Sequence, residues 1–148
     1  MNHLLFCDYV EHDTTRSRRP EVYDQTKSTS KTIFEVTDSG FIDKIIVALQ
    51  SLGGQDPAQK TKVIVDFGDG WKLGGYSAKE LYNYGSIDLN IRDDFVVSRY
   101  GTIQKIYTLY FKSDAYRYRR FNGIKITLQR DDSDYDKVGY LYTVGYFR

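Results

Sequence analysis

Beyond Ser86 the chain is a succession of short segments rich in β-branched and aromatic residues: Ile87–Ile91, Phe95–Tyr100, Ile103–Phe111, Tyr116–Arg120, Ile124–Arg130 and Val138–Phe147. Segments of this composition, parted by brief polar links, read as strands. Parallel neighbours would need crossovers of a dozen or more residues, and the links are too short for that. This half of the chain is therefore constrained to a mainly antiparallel sheet.

The first half carries helical periodicity as well. Ile42, Ile45, Ile46, Leu49 and Leu52 recur at i, i+3, i+4 and i+7, which predicts an amphipathic helix over about 39–52. Asp38 or Ser39 stands at its cap, and Gly53-Gly54 supplies a stop. A second, shorter helix is expected from Ser77, whose partner Glu80 completes a capping box, with Gly85 closing it. Between the two, Lys62–Phe67 reads as a strand that Gly68-Asp69-Gly70 turns back through Trp71, Lys72 and Leu73. Leu4–Val10 and Ile33–Val36 are further short strands. The residues between them, about 11–31, are almost all polar and read as a mobile loop.

At 148 residues these elements make one domain. The expected fold class is α+β, with residues 1–148 as a single domain. Two helices in the N-terminal half pack on a curved, mainly antiparallel sheet formed largely by the C-terminal half.

Asn122-Gly123 is a strong turn signal, and it permits two hairpin registers. A two-residue loop sets Arg119 opposite Ile126 and Arg117 opposite Leu128, mixing guanidinium groups with aliphatic ones. A three-residue loop, with Gly123 left-handed, pairs Tyr118 with Ile126 and Tyr116 with Leu128. Arg117, Arg119, Lys125 and Thr127 then share the other face. A one-residue slip exchanges the two faces of a strand, so the register that sorts polar from apolar is expected. Its consequence is a basic outer face.

Composition narrows the function. With 21 Lys+Arg against 20 Asp+Glu, no global field draws the chain to nucleic acid or membrane. The lone Cys7 forms no intrachain disulfide, and the opening Met1–Asp8 is short and acidic for a secretory leader, so a reduced, cytoplasmic setting is expected. No apolar run approaches the length of a membrane-spanning helix.

Catalytic and metal patterns are thin. Asp132, Asp134 and Asp136 have the alternate spacing of a calcium loop, yet Lys137 stands where the loop needs glycine and Thr143 where it needs a bidentate Glu. Asp66-Phe67-Gly68 matches the magnesium-binding triplet of kinases in letters only, and its glycines are explained by the hairpin. His3, His12 and Cys7 are too few for a structural zinc site, and Cys7 lies among apolar neighbours as a small hydrophobe would. No enzyme activity, cofactor or metal is expected.

What remains is binding. Tyr100–Arg148 holds nine tyrosines and three phenylalanines, interleaved with arginines. Tyrosine and arginine dominate hot spots because each joins a large contact area to a polar handle. The candidate partner-binding residues are Tyr116, Arg117, Tyr118, Arg119, Arg120 and Lys125 on the hairpin, with Arg16, Arg18 and Arg19 in the polar loop. The expected function is a non-catalytic protein-interaction module in the style of small phage- or plasmid-borne inhibitors and accessory proteins. The alternatives are a nucleic-acid binder or small RNase-like toxin using the basic hairpin 116–130, and a homo-oligomeric structural subunit.

Overall fold

A computed structural model describes residues 14–70, 72–74, 76–87, 95–101, 106–111, 119–130 and 136–148. For Thr14–Pro20, Phe95–Gly101 and a few other positions it describes the backbone alone. The order is β1 (Thr14–Asp24), β2 (Ser30–Ser51), α1 (Pro57–Lys60), β3 (Lys62–Asp66), β4 (Lys72–Leu73), α2 (Ala78–Ile87), β5 (Phe95–Gly101), β6 (Ile106–Phe111), β7 (Arg119–Gln129) and β8 (Lys137–Phe147). All eight strands join one sheet, and every pairing is antiparallel. The sheet is antiparallel as expected, with two short helices, but it is not formed largely by the C-terminal half: β1 to β4 contribute at least as much of it as β5 to β8.

The largest correction concerns residues 39–52. They form no helix; they are the second half of β2, a strand of 22 residues. Its first half pairs with β7 through Ser30–Ile42, and its second half pairs with β8 through Phe41–Ser51. Over Ile46–Gln50 it is also bonded to β6 along the other edge. Ile42, Ile45, Val47 and Leu49 are buried. From Ile45 onward that is the alternation of a strand. The step from Ile42 to Ile45 spans a register shift between Ile42 and Lys44. A bulge inserts one residue and moves the alternation by one place. That single insertion imitates the i, i+3 spacing of a helix. The β-branched Ile42, Ile45, Ile46 and Val47 also favour an extended backbone.

The second correction has the same cause. Asn122-Gly123 turns no hairpin: β7 runs straight through it, with Ser39 of β2 opposite Asn122. Gly123 is left-handed, with φ of 82°, as the turn reading required. That conformation here serves a bulge, opposite the shift between Val36 and Ser39. Phe121, Ile124, Ile126 and Leu128 are buried, so the three-residue step recurs across the bulge. The expected partners Tyr116, Arg117 and Tyr118 lie outside the described residues, as do Leu4–Val10, His3, Cys7 and His12.

Within the polar stretch 11–31, Thr14–Asp24 is strand rather than loop. It pairs with β8 as an outer strand of the sheet, with a shift between Arg18 and Glu21. Pro20 falls within that irregularity, where a missing N–H costs least. Asp24 then accepts hydrogen bonds from Thr26 N (3.0 Å) and Thr26 Oγ1 (2.5 Å), shaping the short turn into β2.

Other expectations hold. β3 turns back onto β4, with Val65 opposite Leu73. The capping box forms: Glu80 N donates to Ser77 Oγ and Ser77 N to Glu80 Oε1, both at 3.2 Å. Gly85 does not close the helix, which runs on to Ile87, the residue expected to open a strand; residues 88–91 lie outside the described residues.

The sheet bends so that its inner face encloses the core. Phe34 meets Tyr142 edge to face at 5.3 Å, and Phe121 meets Tyr146 in the same way at 5.3 Å. These pairs join the β7 side of the sheet to β8. Gly40 lies at the bend, where a Cβ would stand 1.9 Å from the carbonyl oxygen of Phe147. Only glycine lets the two backbones approach so closely. The tyrosines at the margins of the core have their hydroxyls satisfied. Tyr146 donates to Asp38 Oδ2 (2.7 Å), Tyr140 to Glu21 Oε2 (2.9 Å), Tyr107 to Asp56 Oδ2 (3.3 Å) and Tyr23 to the carbonyl of Ser28 (2.9 Å).

Two predictions separate this fold from the helical alternative. Val47→Asp should abolish folding, whereas Ile46→Thr should cost less than about 1.5 kcal/mol in urea unfolding, because only Val47 faces the core. A helical stripe would give the opposite order. Burial raises the Tyr23 hydroxyl above its usual pKa, outweighing the influence of Arg130. Folding therefore favours its protonated form. The resulting stability is complete below about pH 10 and is lost as pH rises through the folded value. Tyr23→Phe should narrow the difference between unfolding curves at pH 9 and pH 11.

Candidate docking face

Strand alternation that turns Ile45, Val47, Leu49, Tyr107, Leu109, Tyr140 and Tyr142 inward sends their neighbours to the opposite face. Those neighbours form a regular grid. Ile46 of β2 lies between Tyr110 of β6 and Thr143 of β8; Ala48 lies between Thr108 and Leu141; Gln50 lies between Ile106 and Gly139. None of these nine positions is charged. On the far side of β8, Val22 of β1 pairs with Gly139. The Leu52 side chain lies over the same glycine, 3.4 Å from where a Cβ would stand.

The large apolar residues most exposed among those described are Leu52 (48%), Val22 (46%), Tyr110 (39%) and Leu141 (39%). All four lie on this one face. Single exposed apolar residues are ordinary, but a contiguous group is a mark of an interaction surface. Ala48, Ile106 and Gly139 are small or recessed, and a hollow of about 100 Å³ opens among them beside Leu141. Lys44 and the exposed Lys137 stand at the two ends of the grid along β2 and β8.

The described residues among those singled out from sequence lie on strands apart from one another. Arg16 and Arg18 have their backbones on β1, opposite Val144 and Tyr142, with Arg19 in the adjoining irregularity. Arg119 and Arg120 lie on β7 opposite Ile42 and Phe41, and Arg120 is exposed. In the sheet, β8 and β2 stand between β1 and β7.

Lys125 does face outward, on the other side of the bend, but not into a basic field. Its neighbour on β2 is Glu35 and its neighbour on β3 is Asp66. Asp66 in turn meets Lys72 at 4.0 Å. The strip reads carboxylate, ammonium, carboxylate, ammonium, and its charges cancel. Further along β7, Thr127 lies between Thr32 and Ile64, and Gln129 between Ser30 and Lys62. Two clefts of about 300 and about 210 Å³ follow this polar strip, and both are lined by Asp66 and Lys125.

A separate polar cluster closes the end of β2. Gln55 and Asp56 are both left-handed, with φ of 65° and 53°. Asp56 is buried and accepts hydrogen bonds from Ser51 Oγ and Tyr107, while Ala58 N donates to Ser51 Oγ at 2.8 Å. These contacts join β2, α1 and β6. Among the described residues no group of three His, Cys, Asp or Glu side chains is placed to hold a metal ion, and no helix is long and apolar enough to cross a membrane.

The face is hidden in the sequence because Ile46 falls within the apparent helical stripe and Ala48 falls outside it. The signal that would have found it is the alternation in Val138–Phe147, where Leu141 stands between Tyr140 and Tyr142. The strip around Lys125 yields its own expectation. Lys125→Glu would place three carboxylates side by side and should cost about 1 kcal/mol more than Lys125→Ala, a gap that shrinks in high salt. Paired urea titrations at low and high ionic strength would show it.

No family model and no curated protein matches the chain. Among solved structures, the chain is similar to one from the crystal structure of the Aeromonas sobria serine protease in complex with its chaperone. The identity is 8%, the TM-score is 0.38, and the match covers 91% of this chain. The chain spans 28% of the length of that one. A likeness this slight has no bearing on function.

Proposed function

We propose that this chain is a non-catalytic protein-interaction module, of the kind that inhibits or assists a larger machine by occupying it. The observation that carries this is the outer face of β2, β6 and β8: nine neighbouring positions without a charge, carrying Tyr110 and Leu141, with Val22 and Leu52 beside them. Charged residues are depleted at the centres of protein interfaces, and aromatic residues are enriched there. An uncharged sheet face offers contact area without the desolvation of buried ions.

A nucleic-acid role calls for cations that remain available to phosphates. Lys125, one member of the expected basic face, has a carboxylate on each neighbouring strand. The protein reading is therefore the stronger of the two.

Co-purification from the native host tests it. A tagged chain should recover a protein in stoichiometric amount, and Tyr110→Glu or Leu141→Glu should each weaken recovery by about 2 kcal/mol or more, as for hot-spot residues. Both positions are exposed, so circular dichroism and the unfolding midpoint should change little. Recovery of RNA or DNA with a steep salt dependence, unaffected by either substitution, would overturn the proposal in favour of nucleic acid.

A further inference from the structure

We propose that the uncharged outer face pairs with the same face of a second copy of this chain, across a two-fold axis, to form a reversible homodimer. This rests on the docking face described above: in the free chain a second copy covers that face, and the larger partner displaces it. Three features of the face point to a second copy.

The first is charge. In an isologous contact a surface meets itself, so any charged patch near the axis meets its own sign. The nine positions from Ile46, Ala48 and Gln50 outward carry none. The flanking charges lie outside the grid, Lys44 and Lys137 at its ends and Arg99 one strand beyond it on β5, opposite Thr108. The chain as a whole has a formal net charge of +1, so two copies approach without long-range repulsion.

The second is relief. The face offers a projection and a recess side by side: Leu141 and Leu52 stand out, and a hollow of about 100 Å³ lies among Ala48, Ile106 and Gly139. A two-fold axis beside them brings each leucine of one copy over the hollow of the other. A partner without that relief would leave the hollow unfilled, and an unfilled void forfeits contact energy on every wall.

The third is shape. The face is a sheet surface, and sheets pack on sheets about 10 Å apart with apolar side chains interdigitated between them. A second copy supplies such a surface with matching dimensions.

Size sets the strength. Four strands about 4.8 Å apart and five residues at about 3.3 Å each give a footprint of roughly 320 Å². Stable complexes bury about 800 Å² per partner, so this pairing exchanges with monomer and is no permanent assembly. The monomer has a mass of 17.2 kDa.

Sedimentation velocity on the full purified chain, from about 1 μM to about 1 mM, tests this. The weight-average mass should rise from 17.2 kDa towards twice that value as concentration increases. Leu141→Glu should raise the dimer dissociation constant at least tenfold, and Val22→Lys, at the margin of the same face, should raise it by less. Lys125→Glu, on the other side of the bend, should leave it unchanged. Circular dichroism on each variant separates lost association from lost folding, and Tyr110→Ser provides a second, milder change at the face.

A mass fixed at 17.2 kDa throughout the range overturns the second-copy assignment. If Leu141→Glu nonetheless abolishes recovery of a different protein from the native host, the docking face stands without self-pairing. If it changes neither mass nor recovery, both assignments fall. Self-association that Lys125→Glu abolishes and Leu141→Glu does not would place the contact on the polar strip, and the proposal would fail.

Discussion

Every other part of this sheet depends on β2 being hydrogen-bonded on both edges. One edge meets β7 and then β6, while the other meets β8. A strand shared in this way has to serve two differently inclined sets of partners. The bulges near Phe34, Ser39 and Lys44 let it do so, because each adds a residue, bends the strand and increases its twist. The sheet can then close on itself until Phe34 touches Tyr142 and Phe121 touches Tyr146. Without the bulges, one flat sheet would leave both faces half wet.

The density of tyrosine near the C-terminus acquires a structural explanation from this arrangement. Tyr107, Tyr140, Tyr142 and Tyr146 are all buried, and three of them donate to carboxylates of Asp56, Glu21 and Asp38. Each ring fills core volume, and its hydroxyl reaches the margin where a polar acceptor waits. Glu21 is on β1 and Asp38 on β2, so these bonds also hold neighbouring strands in register. Among the described tyrosines of this stretch Tyr110 is the exception, 39% exposed on the outer grid. Among those whose side chains the structure describes, the aromatic residues of this stretch are thus divided by strand parity, most of them facing inward.

Local signals were legible in the sequence wherever one element decides its own conformation. The capping box at Ser77 and Glu80 depends on four consecutive residues and forms as expected. The alternation in Val138–Phe147 and the β3–β4 turn are equally local. What could not be read was any pattern whose phase is set by a distant partner. The bulge at Ile42–Lys44 exists because β8 pairs there, and it turns a strand's alternation into a false helical stripe. Asn122-Gly123 asks for a left-handed residue, and the sheet supplies a bulge to use it where a hairpin was expected. β1 escaped because an outer strand carries polar residues, arginines and a proline, the features that discourage edge-to-edge aggregation and that also resemble a loop. The docking face inherits the first of these errors: β6 and β8 read as strands from the sequence, but β2, the strand between them, does not.

The layout of β2 has a consequence for how the protein must be made. Its nearest partner residues on β6 lie more than fifty positions downstream, and β8 begins at Lys137. During synthesis a 22-residue, β-branched segment therefore emerges with neither edge paired and neither face covered. Such segments seek any available strand, including another nascent copy of themselves. The contacts that rescue it are almost all non-local, and these form slowly. The chain should consequently be vulnerable on the ribosome rather than after folding, and its yield should depend on holding β2 unpaired until β8 has been made.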